Sequence, residues 1–129
     1  MIVVDSSVWI ANLRAQDIEP VRKLRAIEDM SQILVGDLIL LEVLQGARDE
    51  EHASQIEQFM RQFEFVPMLT ASLAVLAASN YRRLRQKGVT IRKTIDMIIA
   101  TFCIENQYLL LHNDKDFVPM AEHLGLHFL

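Results

Sequence analysis

Ile2-Val3-Val4-Asp5-Ser6-Ser7-Val8-Trp9-Ile10 is the stretch on which the fold of this chain turns. An apolar run, two of its three residues valine, ends in a lone carboxylate; two hydroxyl residues and a second apolar run follow. A short, continuous, β-branched run is the mark of a strand buried on both faces, and a serine ahead of an apolar-periodic segment opens a helix. The stretch predicts a strand over 2–5, Asp5 at its carboxyl tip, and a helix starting at once, capped by Ser6 or Ser7. Ligands of open α/β sheets bind outside the carboxyl ends of the strands, so Asp5 stands where a ligand would be met.

Outward from there the chain alternates. A helix over about 19–30, with Pro20 in its first turn, leads to a strand at Ile33-Leu34-Val35. Asp37 reads as the N-cap of a helix that is apolar almost all round and therefore buried, ending at Gly46. Residues 49–62 are amphipathic, 64–67 a strand or extended link, and 70–87 a long helix closed by Gly88. A helix over 92–106 carries the stripe Ile95, Ile98, Ile99, Phe102 and Cys103, at helical spacing. Leu109-Leu110-Leu111 is another buried strand, Asp116 starts a short helix, and 126–128 is an edge strand. Strand–helix alternation predicts an α/β fold, a small and mostly parallel sheet flanked by helices, with residues 1–129 as one domain.

Composition narrows the class. The chain has 129 residues, 51% of them hydrophobic, with only 4 Gly and 3 Pro, which excludes a disordered chain with long loops. No apolar run approaches the ~18 residues of a membrane span, and the start lacks the basic region of a signal peptide. The single cysteine, Cys103, reads as a buried core thiol suited to a cytoplasmic setting. A net charge of −4 argues against a non-specific nucleic-acid coat. Yet Arg82, Arg83, Arg85, Lys87, Arg92 and Lys93 fall between Tyr81 and Thr94 with no acid among them, a local basic patch.

Four places set acids in apolar frames. Asp5 follows a buried strand. Glu42 lies within Leu38-Ile39-Leu40-Leu41-Glu42-Val43-Leu44. Asp96 borders the stripe of the 92–106 helix. Asp114 and Asp116 follow Leu109-Leu110-Leu111. Singly, Asp5 and Asp116 could be helix caps, and Asp96 could pair with Arg92. Together they pose an electrostatic problem: two carboxylates ~4 Å apart at an effective dielectric of ~20 repel by about 4 kcal/mol. A divalent cation answers it, and oxygen-only donors point to Mg²⁺ or Mn²⁺ rather than zinc.

Val-Val-Asp-Ser-Ser-Val-Trp around Asp5, Leu-Leu-Glu-Val-Leu-Gln-Gly around Glu42, Thr-Ile-Asp-Met-Ile-Ile-Ala around Asp96 and Asn113-Asp114-Lys115-Asp116-Phe117 resemble, in that order, the PIN domain family, and within it the VapC-type toxins of bacterial VapBC toxin–antitoxin systems. The resemblance covers residues 2 to about 128. It implies a PIN-like fold and a Mg²⁺- or Mn²⁺-dependent endoribonuclease in which Asp5, Glu42, Asp96 and Asp114 are the catalytic and metal-binding acids. Asp116 matches a less constant extra acid, and Ser7 the hydroxyl that supports the first Asp. A departure is His112, where such chains often carry a small hydroxyl residue. The resemblance also implies an RNA substrate, a VapB-like antitoxin as cognate partner, a homodimer and a cytoplasmic location.

On this reading Asp5, Asp96 and Asp114 hold the metal, Glu42 binds it or orients the attacking water, and Ser7 and Asn113 orient the ligands. Arg92 and Lys93, with Arg85 behind them, meet RNA phosphates. Trp9 is either a core residue or a platform for a base. An antitoxin tail would cover the apolar helices at 19–30 and 37–46, an arginine from it reaching the carboxylates. Three alternatives stay open: a catalytically silent PIN-like binding module, a Mg²⁺-binding receiver-like domain, and a metal-free ribonuclease using two of the four histidines.

Overall fold

In a computed structural model describing residues 1–129, five short strands form one sheet: β1 (Ile2–Val4), β2 (Ile33–Gly36), β3 (Glu64–Val66), β4 (Leu109–Leu111) and β5 (His127–Phe128), in the order β3-β2-β1-β4-β5. The sheet is parallel throughout, with Val3 opposite Leu34 on one side and Leu110 on the other. Parallel strands need crossovers, which cover both faces of the sheet with helices. Seven supply them: α1 (Ser6–Leu13), α2 (Glu19–Arg25), α3 (Asp37–Gln45), α4 (Glu50–Met60), α5 (Ala71–Gln86), α6 (Thr94–Asn106) and α7 (Val118–Leu124). Val3, Val4, Val35 and Leu110 are wholly buried between them. The strand order reverses between β1 and β4, so the crevice beyond their carboxyl ends is the topological switch point where such sheets take ligands.

Local hydrogen bonds move several element boundaries. Asp5 lies one residue past β1. Its backbone N–H still reaches Leu111 of β4 at 2.9 Å, but its Oδ2 accepts the Ser7 N–H at 3.0 Å, so Asp5 caps α1, not Ser6 or Ser7. The helix expected to reach residue 30 stops at Arg25. Asp29 accepts the Ser31 N–H at 3.0 Å and starts a 3-10 turn, Met30–Gln32, in place of the last helical turn. Gly36 rather than Asp37 is the N-cap of α3, while Asp37 Oδ1 accepts the N–H groups of Leu38 (2.9 Å) and Met68 (3.1 Å). Gly36 lies directly against the buried Met68 side chain, which would have to shift to admit a Cβ there.

α3 is not buried all round. Ile39 and Val43 face the core, and Leu41 is 53% exposed. Asp114, not Asp116, caps the segment before α7, a 3-10 turn at Lys115–Phe117. Met60, Phe63 and Met68 are buried core, with Phe65 half-buried. Burial pushes the Cys103 thiol up to about 12, out of range for thiolate chemistry. No helix is long and apolar enough to cross a membrane.

Candidate active site

Asp5 leaves the tip of β1 and Asp114 the turn after β4, on either side of the switch point. α3 carries Glu42 towards them and α6 carries Asp96 in its first turn, where a carboxylate also suits the helix dipole. The four acids share one electrostatic site. Asp5 feels Asp114, Glu42 feels Asp5 and Asp114, and Asp96 feels all three. Asp96, Asp114 and Asp116 form a cluster in which one carboxylate oxygen from each lies within 4.8 Å of the others. Asp116, expected in a supporting role, thus belongs to the same cluster as Asp96 and Asp114.

Two neighbouring hydroxyls serve two different acids. Ser7 Oγ donates to Asp5 Oδ2 at 2.5 Å and accepts the Asn113 backbone N–H at 3.0 Å, tying the turn after β4 to the tip of β1. Asn113 contributes that N–H alone; its side chain is exposed and makes no hydrogen bond. Ser6 Oγ donates to Glu42 Oε1 at 3.1 Å, a contact that sequence reading missed. On the turn itself, His112 Nδ1 accepts the Asp114 N–H at 3.1 Å and Asp114 Oδ1 accepts the Asp116 N–H at 2.9 Å.

Burial and mutual repulsion hold the carboxyls up. Asp96 is pushed to about 7, first by burial and then by Asp5, against the pull of Lys93. Asp5 rises through burial, opposed by its Ser7 hydrogen bonds, and Glu42 rises through burial and then Asp5. Lys93 answers them: Asp96 above all raises its ammonium, and its Nζ lies 3.7 Å from Asp114 Oδ2. Asp96 Oδ2 is buried without a hydrogen-bond partner. Burial of an unpaired carboxylate oxygen is costly unless a cation meets it, and hard oxygen donors at this spacing suit Mg²⁺ or Mn²⁺.

The other predicted residues divide. Arg92 is exposed and makes no ion pair, so Lys93 and not Arg92 is the cation beside Asp96. Arg85 makes no hydrogen bond or ion pair with the acids; its guanidinium lies over the Tyr81 ring at 5.9 Å. Arg82 lines a mostly apolar cavity of about 410 Å³ with Ile91 and with Thr94 and Met97 of α6. Trp9 is 1% exposed and packs against Phe63 at 5.0 Å and Phe59 at 6.1 Å, so it is core and no base platform. The histidines occupy separate elements, and no two share a hydrogen bond: His52 accepts the Arg48 N–H, His123 lies beside Glu122, and His127 is in β5. A two-histidine mechanism has no geometric basis here. A receiver-like site fares no better, because the residue after β2 is Asp37, bonded into the first turn of α3.

Fold and site together define a parallel α/β domain with an all-oxygen acidic centre at its switch point. The chain belongs to the PIN domain family, whose model matches residues 2–122. It is 30% identical over 131 aligned positions to a VapC ribonuclease of Mycobacterium bovis, and equally to ribonuclease VapC11 of Mycobacterium tuberculosis, spanning 98% of this chain and 96% of each relative. The fold is shared with VapBC2 from Rickettsia felis, solved bound to a DNA fragment from its promoter, at a TM-score of 0.78 and 18% identity over 100% of this chain and 98% of that one.

Proposed function

We propose that this protein is a metal-dependent endoribonuclease, the toxin of a type II toxin–antitoxin pair. Two observations carry the chemistry: Asp96 Oδ2 is buried without a partner, and the Asp96 carboxylate clusters with those of Asp114 and Asp116. Asp5, Asp96 and Asp114 would hold Mg²⁺ or Mn²⁺, with Asp116 as a further donor. When bound, the cation supplies Lewis acidity to a water and to a phosphoryl oxygen. Glu42, half-buried with its affinity for a proton raised and one oxygen fixed by Ser6, accepts the proton of the attacking water. Ser7 keeps Asp5 aimed into the centre, and Lys93 offers its ammonium to the phosphate that approaches Asp114.

The test is cleavage of a structured-RNA pool by the purified protein with Mg²⁺, with Mn²⁺ and with chelator, beside Asp5→Asn. Cutting that needs metal and disappears in the variant is the expected result. Cutting that survives chelator in the wild type and not in the variant would overturn the metal reading.

Arg92 supplies a second test. Exposed and unpaired at the entry to α6, it should meet RNA backbone and no base. Arg92→Ala is expected to weaken binding about equally for all sequences, reducing the salt slope of log affinity by about one phosphate contact while leaving the cut sites unchanged. Filter binding across a salt series measures it.

The toxin reading also needs surfaces for partners. Leu13 at the end of α1 is exposed in a groove that it lines with Ile10, Val43, Ile56, Arg14 and Arg48, where an antitoxin segment would seat. It is α1, α3 and α4 that form this groove, so α3 is the part of the predicted cover that it retains. A separate exposed apolar face, Leu69, Val75 and Leu76 around α5, is where a second copy would pack. Proteins of the same fold solved as VapBC complexes support an antitoxin as partner.

A further inference from the structure

We propose that His112 is a positioning residue, whose Nδ1 fixes the turn that presents Asp114 and Asp116 to Asp96. The inference rests on the metal-site reading above. Sheet pairing ends at Leu111, and beyond it four N–H groups of the turn are each held by a different acceptor atom. Asn113 donates to Ser7 Oγ, Asp116 to Asp114 Oδ1, and Phe117 to the Asp114 carbonyl at 3.2 Å. The Asp114 N–H goes to His112 Nδ1 at 3.1 Å. That bond sets the backbone orientation of the very residue whose carboxylate lies between Lys93 and the Asp116 N–H.

The ring is held in place to do this. It packs against Phe128 at 4.2 Å and Phe117 at 5.3 Å, inclined to both. As an acceptor, Nδ1 carries no proton, so the ring is the Nε2–H tautomer. Without the acceptor, the half-buried Asp114 N–H loses its partner and the turn is free to rotate its two carboxylates away from Asp96.

Three variants separate acceptor from packing. His112→Phe keeps an aromatic ring between Phe117 and Phe128 but has no acceptor. His112→Asn and His112→Gln both lose the ring, but asparagine puts its Oδ1 where Nδ1 stands and glutamine puts its oxygen where Nε2 stands. Mn²⁺ is titrated into metal-stripped protein by calorimetry, well below each variant's unfolding midpoint in chelator. Loss of a group that orients a ligand weakens metal binding about 10–100-fold, so His112→Phe and His112→Gln are expected in that range and His112→Asn within about threefold of wild type. The Mn²⁺ concentration that RNA cleavage requires should rise in step with the weakened binding. Wild-type affinity in His112→Phe, or equal weakening in the Asn and Gln variants, would overturn the inference alone. A wild-type protein that binds no Mn²⁺ would overturn it together with the metal-site reading.

Discussion

Replacing Asp96 by Asn is expected to abolish RNA cleavage, by on the order of 10³-fold, while making the metal-free protein more stable. The two effects have one cause. Asp96 sits in the first turn of α6, 3% exposed, with one oxygen unpartnered and with Asp114 and Asp116 within 4.8 Å. At that spacing and an effective dielectric of ~20, each pair of charges repels by about 3 kcal/mol. A cation turns the arrangement into an advantage. Without one it is a liability, and asparagine, of the same shape, removes a charge while keeping one oxygen and offering an N–H to the neighbouring acids.

The pH dependence has a definite sign. The Asp96 carboxyl is pushed up to about 7 in the folded protein, from an ordinary value of 3.8. Between those values the folded chain keeps a proton that the unfolded chain has lost. Stability of the metal-free protein therefore falls as pH rises from about 4 to about 7, by on the order of 4 kcal/mol if Asp96 bears it all. Asp5 and Glu42, also raised, act in the same direction. Urea unfolding in chelator at pH 5 and pH 8 should show the wild type losing stability and Asp96→Asn losing much less. Saturating Mn²⁺ at pH 8 should restore wild type, by about 2.7 kcal/mol at a hundred times the dissociation constant, and leave the variant where it was. Equal pH slopes in the two proteins would mean that Asp96 is not the strained group.

Why could a sequence show these acids and not the contacts that hold them? Each of Asp5, Glu42, Asp96 and Asp114 stands out because the apolar residues around it leave little solvent to use. Such a conflict is local and needs no coordinates. The partners are another matter. Ser6 and Ser7 are adjacent on a helix, about 100° apart. Only the placement of α3 on one side and of the turn after β4 on the other assigns Ser6 to Glu42 and Ser7 to Asp5. Asp116 joins Asp96 and Asp114 through a 3-10 turn that Asp114 itself caps, a fold of the chain with no periodic signature. α3 misled in the opposite sense: an apolar composition says that a helix prefers cover, not that its own fold supplies it, and Leu41 lies open. The fold was the more legible part because three- and four-residue apolar strands set between helical periods leave few arrangements besides a parallel sheet.

Trp9→Ala is the other large effect, and it separates two roles that one sequence position allowed. Trp9 is buried in α1 against Phe59 and Phe63, with no hydrogen-bond partner for Nε1. Removal of a wholly buried aromatic side chain costs about 3–5 kcal/mol, part transfer and part cavity, which for a chain of this size lowers the melting point by roughly 10–20 °C. Held well below its midpoint, the variant should cut the same RNA positions with an unchanged KM, because Trp9 is core and touches no substrate. A base-stacking Trp9 predicts the reverse: little loss of stability and an RNA affinity lower by about 1–3 kcal/mol. Trp9→Phe sharpens the distinction. It keeps aromatic contact with Phe59 and Phe63 and deletes the unpartnered indole N–H, so it should recover a large part of the lost stability, and on a core reading it does so with no change in RNA binding.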